Sequence, residues 1–116
     1  MASIIREYYE NGTMLRETNY NEHGQKHGLY RLWHSNGKLR IERPYEHDKP
    51  HGLIRCWYSD GKIQFEFNYV NGEQHGISRE WHENGQLLSE INFEHDEIKG
   101  LERRWDKYGT TLKYKF

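Results

Sequence analysis

A period of 24 residues runs through the chain and restricts what it can fold into. Three nearly identical segments, "HGLYRLWHSNG", "HGLIRCWYSDG" and "HGISREWHENG", begin at residues 27, 51 and 75. Repetition at a fixed spacing is the signature of an array in which each unit buries its apolar surface only against its neighbours. The residues at the repeated aromatic and glycine positions are therefore predicted to be structural: Tyr8, Trp33, Trp57, Trp81, Trp105, Gly28, Gly37, Gly52, Gly61, Gly76, Gly85 and Gly100.

Within each unit the residues alternate in a way that is typical of strands. Leu53, Arg55 and Trp57 share one parity, with Ile54 and Cys56 on the other. A period of two indicates a β-strand, and no segment carries a helical stripe with caps. The sequence therefore predicts an all-β fold, an elongated, twisted, single-layer antiparallel meander of about ten short strands built from 24-residue β-hairpin repeats.

The length of 116 residues predicts one repeat domain, 1–116. The period divides it into a half unit at 1–11, repeats at about 12–36, 37–60, 61–84 and 85–108, and a C-terminal half unit at 109–116. The chain is thus expected to start and stop on half units.

The faces of the sheet follow from the loop lengths. A three-residue loop, Glu83-Asn84-Gly85, would pair Trp81 with Leu87 and Ile77 with Ile91, which gathers apolar residues on one face. Glycine in the left-handed position of a type I turn followed by a bulge is the usual chemistry of such a loop. The same length at 70–72 would place Phe65 beside Ile77. Hydrophobic residues make up only 34% of the chain and aromatic ones 15%, so the tryptophan row is predicted to form the core. Its packing partners are predicted to be Leu29, Leu53, Ile77 and Leu101.

Two charged rows repeat with the same period. These loop lengths place the arginine row on the aromatic face, over the rings, and the glutamate row on the opposite face. A bulge would reverse that parity and create ladders of arginine and glutamate instead. Both alternatives are structural, and both remain open for Arg31, Arg55, Arg79 and Arg103 and for Glu17, Glu42, Glu66 and Glu90.

Charge and cysteine content narrow the class of protein. Seventeen basic and eighteen acidic side chains, spread evenly, leave a formal charge of -1, which argues against nucleic acid or an anionic membrane as the main partner. Cys56 is the only cysteine, so no internal disulfide forms and a reducing compartment fits. No apolar run approaches the ~20 residues that span a bilayer. A soluble, cytoplasmic protein is expected.

The repeated residues also resemble a known family. An Asn-Gly pair, an aromatic residue eight positions after the glycine, then His-Gly, an apolar residue and a tryptophan resemble the MORN-variant repeat of bacterial antitoxin-like proteins and repeat-rich viral proteins. The resemblance extends well from Ile4 to about Phe93 and loosely to Phe116. It implies an elongated β-hairpin array that serves as a scaffold, a dimerising element or an interaction surface. In some such proteins it implies contact with phospholipids.

No constellation for catalysis, metal binding or a cofactor emerges from the sequence. His23 with His27, and His47 with His51, are spaced by four residues, but they fall in turns, where that spacing does not chelate as it does on a helix. His27, His51 and His75 are instead expected to shape the turn before a glycine. A side chain that recurs in every unit is expected to be structural rather than catalytic. The protein is therefore predicted not to be an enzyme, with no cofactor and no metal.

One surface does not repeat and is the candidate partner site. Opposite the tryptophan row, the first three return strands carry apolar side chains, whereas the later ones carry serine and charge. An apolar patch confined to part of an array is typical of a contact surface, although a strong twist could instead bury it inside the monomer. The predicted function is a non-catalytic scaffold that binds a protein or self-associates. A narrower form of this prediction is an antitoxin-like partner that neutralises a toxin by binding. The alternative is a peripheral phospholipid-binding module. The candidate partner-binding residues are Ile5, Tyr9, Tyr30, Leu32, Ile54, Cys56 and Tyr58.

Overall fold

A computed structural model describes residues 1–112, and in it eleven strands form one open antiparallel sheet. The strands follow one another across the sheet, except that the two-residue strands β5 and β8 pair only with β4 and β7. The molecule measures 49 × 34 × 12 Å, so the sheet is a single layer and the predicted elongated meander is confirmed. The strands are β1 (Ser3–Tyr8), β2 (Met14–Tyr20), β3 (Lys26–Trp33), β4 (Leu39–Glu46), β5 (Lys49–Pro50), β6 (Gly52–Trp57), β7 (Ile63–Val70), β8 (Glu73–Gln74), β9 (Gly76–Trp81), β10 (Leu87–Glu94) and β11 (Glu97–Arg104).

The predicted C-terminal half unit is described only in part. Thr111 forms a bridge with Trp105, and the amide of Leu112 donates to the carbonyl of Arg104 at 2.8 Å. The remainder of the predicted last strand, 113–116, lies outside the described residues.

The Asn-Gly turns have the predicted three-residue loop. At the second of them, the amide of His34 donates to the carbonyl of Lys38 at 2.8 Å, and the amide of Gly37 donates to the carbonyl of His34 at 3.0 Å. Gly37, Gly61 and Gly85 have φ of 88°, 94° and 89°. This is the left-handed region that glycine enters without steric cost, and the prediction for these turns is confirmed.

A one-residue bulge follows each of these turns and reverses the predicted pairing. Trp81 lies opposite Leu87 as predicted, but Glu80 then lies opposite Ser89, so Leu88 has no partner across the strand. As a result Ile91 lies opposite Ser78, and its predicted pairing with Ile77 is wrong. An extra residue in one strand moves every later side chain of that strand to the other face.

The turns at the opposite ends of the strands, away from the Asn-Gly turns, are shorter than predicted. Asn71 and Gly72 have φ of 50° and 85°, and they form a two-residue loop in which both residues are left-handed. The predicted three-residue loop at 70–72 is therefore wrong, and Phe65 lies opposite Glu80 rather than Ile77. His47-Asp48 and His95-Asp96 form equivalent turns, because Asn, Asp and His tolerate positive φ better than other residues with a side chain.

The core lies on the face opposite the tryptophans. We call the face of Trp33, Trp57 and Trp81 the tryptophan face and the other the second face. Ile54, Cys56 and Ile91 on the second face are 5%, 4% and 9% exposed, whereas Leu53 and Ile77 on the tryptophan face are 37% and 40% exposed. The prediction of a core on the tryptophan face is therefore wrong. The bulges carry the apolar residues of β4, β7 and β10 across the sheet, so that Cys56 lies between Ile41 and Phe65.

Candidate functional site

The residue after each repeated aromatic position bonds the next unit. The hydroxyl of Tyr9 donates to the carbonyl of Trp33 at 2.6 Å, and Nε2 of His34 lies 3.0 Å from the carbonyl of Trp57. Because a carbonyl only accepts, that nitrogen carries the proton. The same bond continues from Tyr58 to Trp81 at 2.7 Å and from His82 to Trp105 at 2.9 Å. Burial also raises the pKa of Tyr58. The sequence shows this row as a period but not as a bonded ladder.

The Asn-Gly turns form a second ladder between units. Oδ1 of Asn36 accepts the amide of Lys38 within its own turn at 2.9 Å, and Nδ2 of the same side chain donates to the carbonyl of Ser59 in the next turn at 2.8 Å. An amide side chain can do both at once, whereas a carboxylate only accepts. Equivalent bonds between turns link Asn11 to Ser35 and Asn84 to Lys107, whereas the equivalent Asp60 caps its own turn through Lys62.

Arginine and glutamate form one row across the tryptophan face. Nε of Arg31 lies 3.2 Å from Glu42, and its terminal nitrogen lies 3.5 Å from Glu17. Of the two open alternatives, the one with the arginines over the rings and the glutamates on the other face is therefore wrong, and the bulge alternative is confirmed. The bulge adds one residue and so places each glutamate opposite an arginine. The other pairs of the row are Arg6–Glu17 at 3.0 Å, Arg55–Glu66 at 3.1 Å and Arg79–Glu90 at 3.0 Å.

The two-residue turns also bond the preceding unit. The carboxylate of Asp48 accepts the amide of Lys26 at 2.7 Å. The same bond, also of 2.7 Å, links Asp96 to Gln74. The middle unit has Pro50, which lacks an N–H, and opposite it Gly72, which lacks a side chain. The acceptor is thus present only where the chain offers a donor, which indicates that these contacts are structural.

The repeated histidines lie against the same turns. Nδ1 of His51 accepts the amide of Asn71 at 3.1 Å. The rings of His27 and His47 are 5.2 Å apart, and those of His75 and His95 are 5.9 Å apart. Among residues 1–112 no group of three His, Cys, Asp or Glu side chains could hold a metal ion. The contacts that the histidines make are therefore contacts between turns.

The predicted partner patch is divided by burial. Ile54 and Cys56 are almost fully buried, so they offer no surface to a partner and act as core in this structure. Burial raises the pKa of the Cys56 thiol from 9.0 to about 11, against the opposing effect of Arg43 and Arg40. Of the rest of the patch, Ile5 is 50% exposed, while the others, Tyr9, Tyr30, Leu32 and Tyr58, are half-buried. A docking role for these five stays a prediction.

A wide concavity of about 960 Å³ lies on the tryptophan face near β1. Of its charged side chains, Glu17 and Arg31 belong to the row described above, and Glu22 lies 3.6 Å from His23. Asn19, also in its lining, donates its side-chain amide to the carbonyl of Leu29 at 2.6 Å. Glu17, Arg31 and Asn19 are thus bonded within the sheet itself.

A smaller groove of about 240 Å³ on the second face concentrates positive charge, a feature that the sequence analysis missed. Nζ of Lys26 lies 5.3 Å from the centre of the Tyr45 ring and 5.9 Å from that of Tyr30. The guanidinium of Arg43 lies 5.6 Å from the Tyr30 ring and donates to the Tyr45 hydroxyl at 3.1 Å. Arg16 lines the same groove and is paired with Glu7 at 2.5 Å. The available signal was three cations at positions that are uncharged in the later units.

Nothing in residues 1–112 is a helix long and apolar enough to cross a membrane.

Comparison with known families agrees with the periodicity. A family model described as MORN repeat variant matches the chain four times, at residues 4–22, 26–47, 50–71 and 74–95. These four matches cover more than half of the chain. Each begins in or just before a strand that leads into an Asn-Gly or Asp-Gly turn and continues through the strand that follows. No curated protein matches the chain.

Proposed function

The chain belongs to the MORN repeat variant family, and from that premise we propose that it is a non-catalytic scaffold whose sheet binds another protein or a second copy of itself. Proteins built from such repeats are typically non-enzymatic scaffolds. The use of the repeated polar residues supports the same reading, because the histidines, asparagines and tyrosines that recur in each unit bond the neighbouring backbone.

The thinness of the sheet carries the proposal. A layer 12 Å thick leaves both of its faces, each about 49 × 34 Å, in contact with solvent. Among residues 1–112 only three hydrophobic residues are buried, and the four repeated tryptophans are half-exposed. Exposed apolar surface on this scale is typical of proteins that bind other macromolecules.

Two neighbouring residues of β1 provide a matched test. Ile4 and Ile5 are 52% and 50% exposed and point to opposite faces, Ile4 to the tryptophan face and Ile5 to the second face. We expect Ile5→Ser to weaken capture of the partner from the native host, or dimer formation measured by light scattering, and Ile4→Ser to leave it unchanged. A wild-type chain that is monomeric and captures no specific protein would contradict the proposal.

The narrower proposal is that the partner is a toxin which the array neutralises by binding. It is supported by the resemblance to antitoxin-like repeat proteins, and its test is growth. The captured partner is expected to slow growth when expressed alone and to lose that effect when wild-type chain is expressed with it. A partner without effect on growth would contradict this form only.

Flotation with anionic vesicles at physiological salt distinguishes the alternative, a phospholipid-binding module, from the proposed protein-binding scaffold. Under the proposal the chain stays with the soluble fraction, and clear flotation would favour the alternative.

A further inference from the structure

The groove that concentrates positive charge lies across three neighbouring strands of the second face. We call it the cationic groove and define it by Arg16 on β2, Lys26 and Tyr30 on β3, and Arg43 and Tyr45 on β4. The two tyrosine rings stand nearly at right angles, at 79° with 6.4 Å between centres, and Lys26 and Arg43 are held against them. The two cationic heads are thus fixed at one place on an otherwise open sheet.

The array does not need these charges for its own construction. The positions equivalent to Lys26 in later units hold Pro50 and Gln74, and those equivalent to Arg43 hold Phe67 and Ile91. Those units form the same sheet with the same turns. The positions equivalent to Arg16 are likewise uncharged, namely Ile41, Phe65 and Ser89.

The positive charge of the groove is incompletely balanced. In the described part of the chain, no carboxylate lies within 4.0 Å of the Lys26 ammonium or the Arg43 guanidinium, whereas Arg16 is paired with Glu7. Three cations against one anion leave an excess of two positive charges, on a chain whose formal net charge is -1. A concentrated positive field on a chain that is slightly negative overall selects negatively charged ligands.

The openness of the groove decides between a single ion and a longer ligand. An exposed ion pair contributes little, because water and salt screen it. Several carboxylates on one chain act together, since binding the first raises the local concentration of the next. The heads of Lys26 and Arg43 lie 5.9 Å and 5.6 Å from the centre of the same Tyr30 ring, so they are at most about 12 Å apart, and an extended peptide presents side chains on one side about every 7 Å. One peptide can therefore place a carboxylate on each cation.

Tyrosine and arginine also favour a protein as the ligand. Both are enriched where protein interfaces have their strongest contacts, because each combines a flat apolar surface with hydrogen-bonding groups. We infer that the cationic groove binds an acidic segment of a protein partner, with carboxylates at Lys26 and Arg43 and the peptide backbone against the rings of Tyr30 and Tyr45. This inference rests on the proposed protein-binding function and specifies its site.

The test uses the full chain and a fluorescently labelled hexaglutamate peptide, with binding followed by anisotropy at low salt. Lys26→Gln with Arg43→Gln is expected to weaken binding by about tenfold or more, the scale expected when two ion pairs are lost together. The matched control, Lys49→Gln with Lys62→Gln, removes the same charge from exposed positions outside the groove and is expected to change binding less than about twofold. Thermal melting establishes that both double variants fold. Equal weakening by the two variants would overturn the inference, because overall charge alone would then explain binding.

Two further arms identify the ligand class. Inorganic phosphate and vesicles containing an anionic lipid are titrated against the same proteins. Tighter binding of either than of the peptide, lost in the Lys26→Gln, Arg43→Gln variant, would overturn the assignment to an acidic protein segment.

Capture of the partner separates this inference from the proposed function. Loss of capture by the Lys26→Gln, Arg43→Gln variant, with retention by the control, supports both. Unchanged capture would overturn the inference and leave the scaffold function standing, whereas the absence of any specific partner or dimer contradicts the function itself.

Discussion

Single residues decide whether the turns of neighbouring units are bonded. Asp60 occupies the position where Asn36 and Asn84 donate to the next turn, but a carboxylate has no hydrogen to donate. Asp60→Asn should add a hydrogen bond to the carbonyl of Glu83 and should also remove a charge from a tight turn. We expect the free energy of unfolding to rise by about 0.5–1.5 kcal/mol, measured by urea denaturation.

Two variants control this prediction. Asn84→Asp should lower stability by a similar amount, because it removes the bond to Lys107 and keeps the cap within its own turn through Gln86. Asp60→Ala loses the cap to Lys62 without gaining a donor and should also be destabilising. A stability of Asp60→Asn at or below that of the wild type would show that the turns are not coupled through this position.

The buried thiol gives a prediction about pH. Because the pKa of Cys56 is raised to about 11, roughly a hundredfold less thiolate is present at pH 8 than at its ordinary pKa of 9.0. Native protein should therefore react with a disulfide reagent at pH 8 much more slowly than protein unfolded in urea. The unfolded chain releases this proton first, so the contribution of Cys56 to stability is constant below pH 9 and falls between pH 9 and 11. Equal reaction rates for native and unfolded protein would contradict burial of the thiol.

At the scale of the strand, β6 has one buried and one open face. Ile54 is 5% exposed and lies opposite Phe67, while its neighbour Leu53 is 37% exposed on the tryptophan face. Ile54→Ala should cost about 2–5 kcal/mol and Leu53→Ala roughly half of that or less, because less of Leu53 is removed from water. Thermal or urea unfolding of the two variants provides the comparison. The reverse order would place the core on the tryptophan face.

The turns give a second prediction at this scale. Gly85 has φ of 89°, and a methyl group added there would meet no atom within 4 Å. Any cost of Gly85→Ala is therefore backbone strain, about 1–2 kcal/mol, and Gly85→Asn should cost less, because asparagine adopts the left-handed region more readily. Equal losses of stability in urea denaturation for Gly85→Ala and Gly85→Asn would show that backbone strain at positive φ does not cause the loss.

The strands, their order and the three-residue turns could be predicted from the sequence, because a period of two and an Asn-Gly pair are local signals. The bulge at Leu88 stayed one of two open alternatives, because Leu87 and Leu88 are both apolar and either one could take the paired position. One unpaired residue is enough to exchange the faces, and the core was therefore assigned to the wrong side. The cationic groove depends on this exchange too, because Arg43 reaches the face of Tyr30 only through the bulge that precedes it in β4.

At the scale of the whole molecule, the array should tolerate growth by complete units. Each unit contacts only its neighbours, so stability is approximately a sum over units and interfaces. A second copy of residues 61–84 inserted after Asn84 keeps the period and is expected to give a folded protein with an equal or higher melting temperature. Insertion of residues 61–72 alone adds half a period, so two strands of the same repeat type become neighbours in the sheet. This insertion should therefore unfold the chain. Circular dichroism of the two insertions tests this directly, and equal stability of both would contradict a strict period.

The bonds made by the Asn-Gly turns all run the same way along the molecule. The donor belongs to the earlier unit and the acceptor to the later one, as from Tyr9 to Trp33 and from Asn36 to Ser59. The row of bonds therefore has a direction along the array, from donors in earlier units to acceptors in later ones. A strand that extends it beside β1 must bring donors. At the other end of the described row, Asp106 holds the position of Tyr58 and His82, and its carboxylate accepts the amides of Tyr108 and Thr110 in its own turn, so this side chain offers no donor to a further unit. Two copies joined through their β1 flanks would both lack the donors, so the ladder would not continue across such a joint.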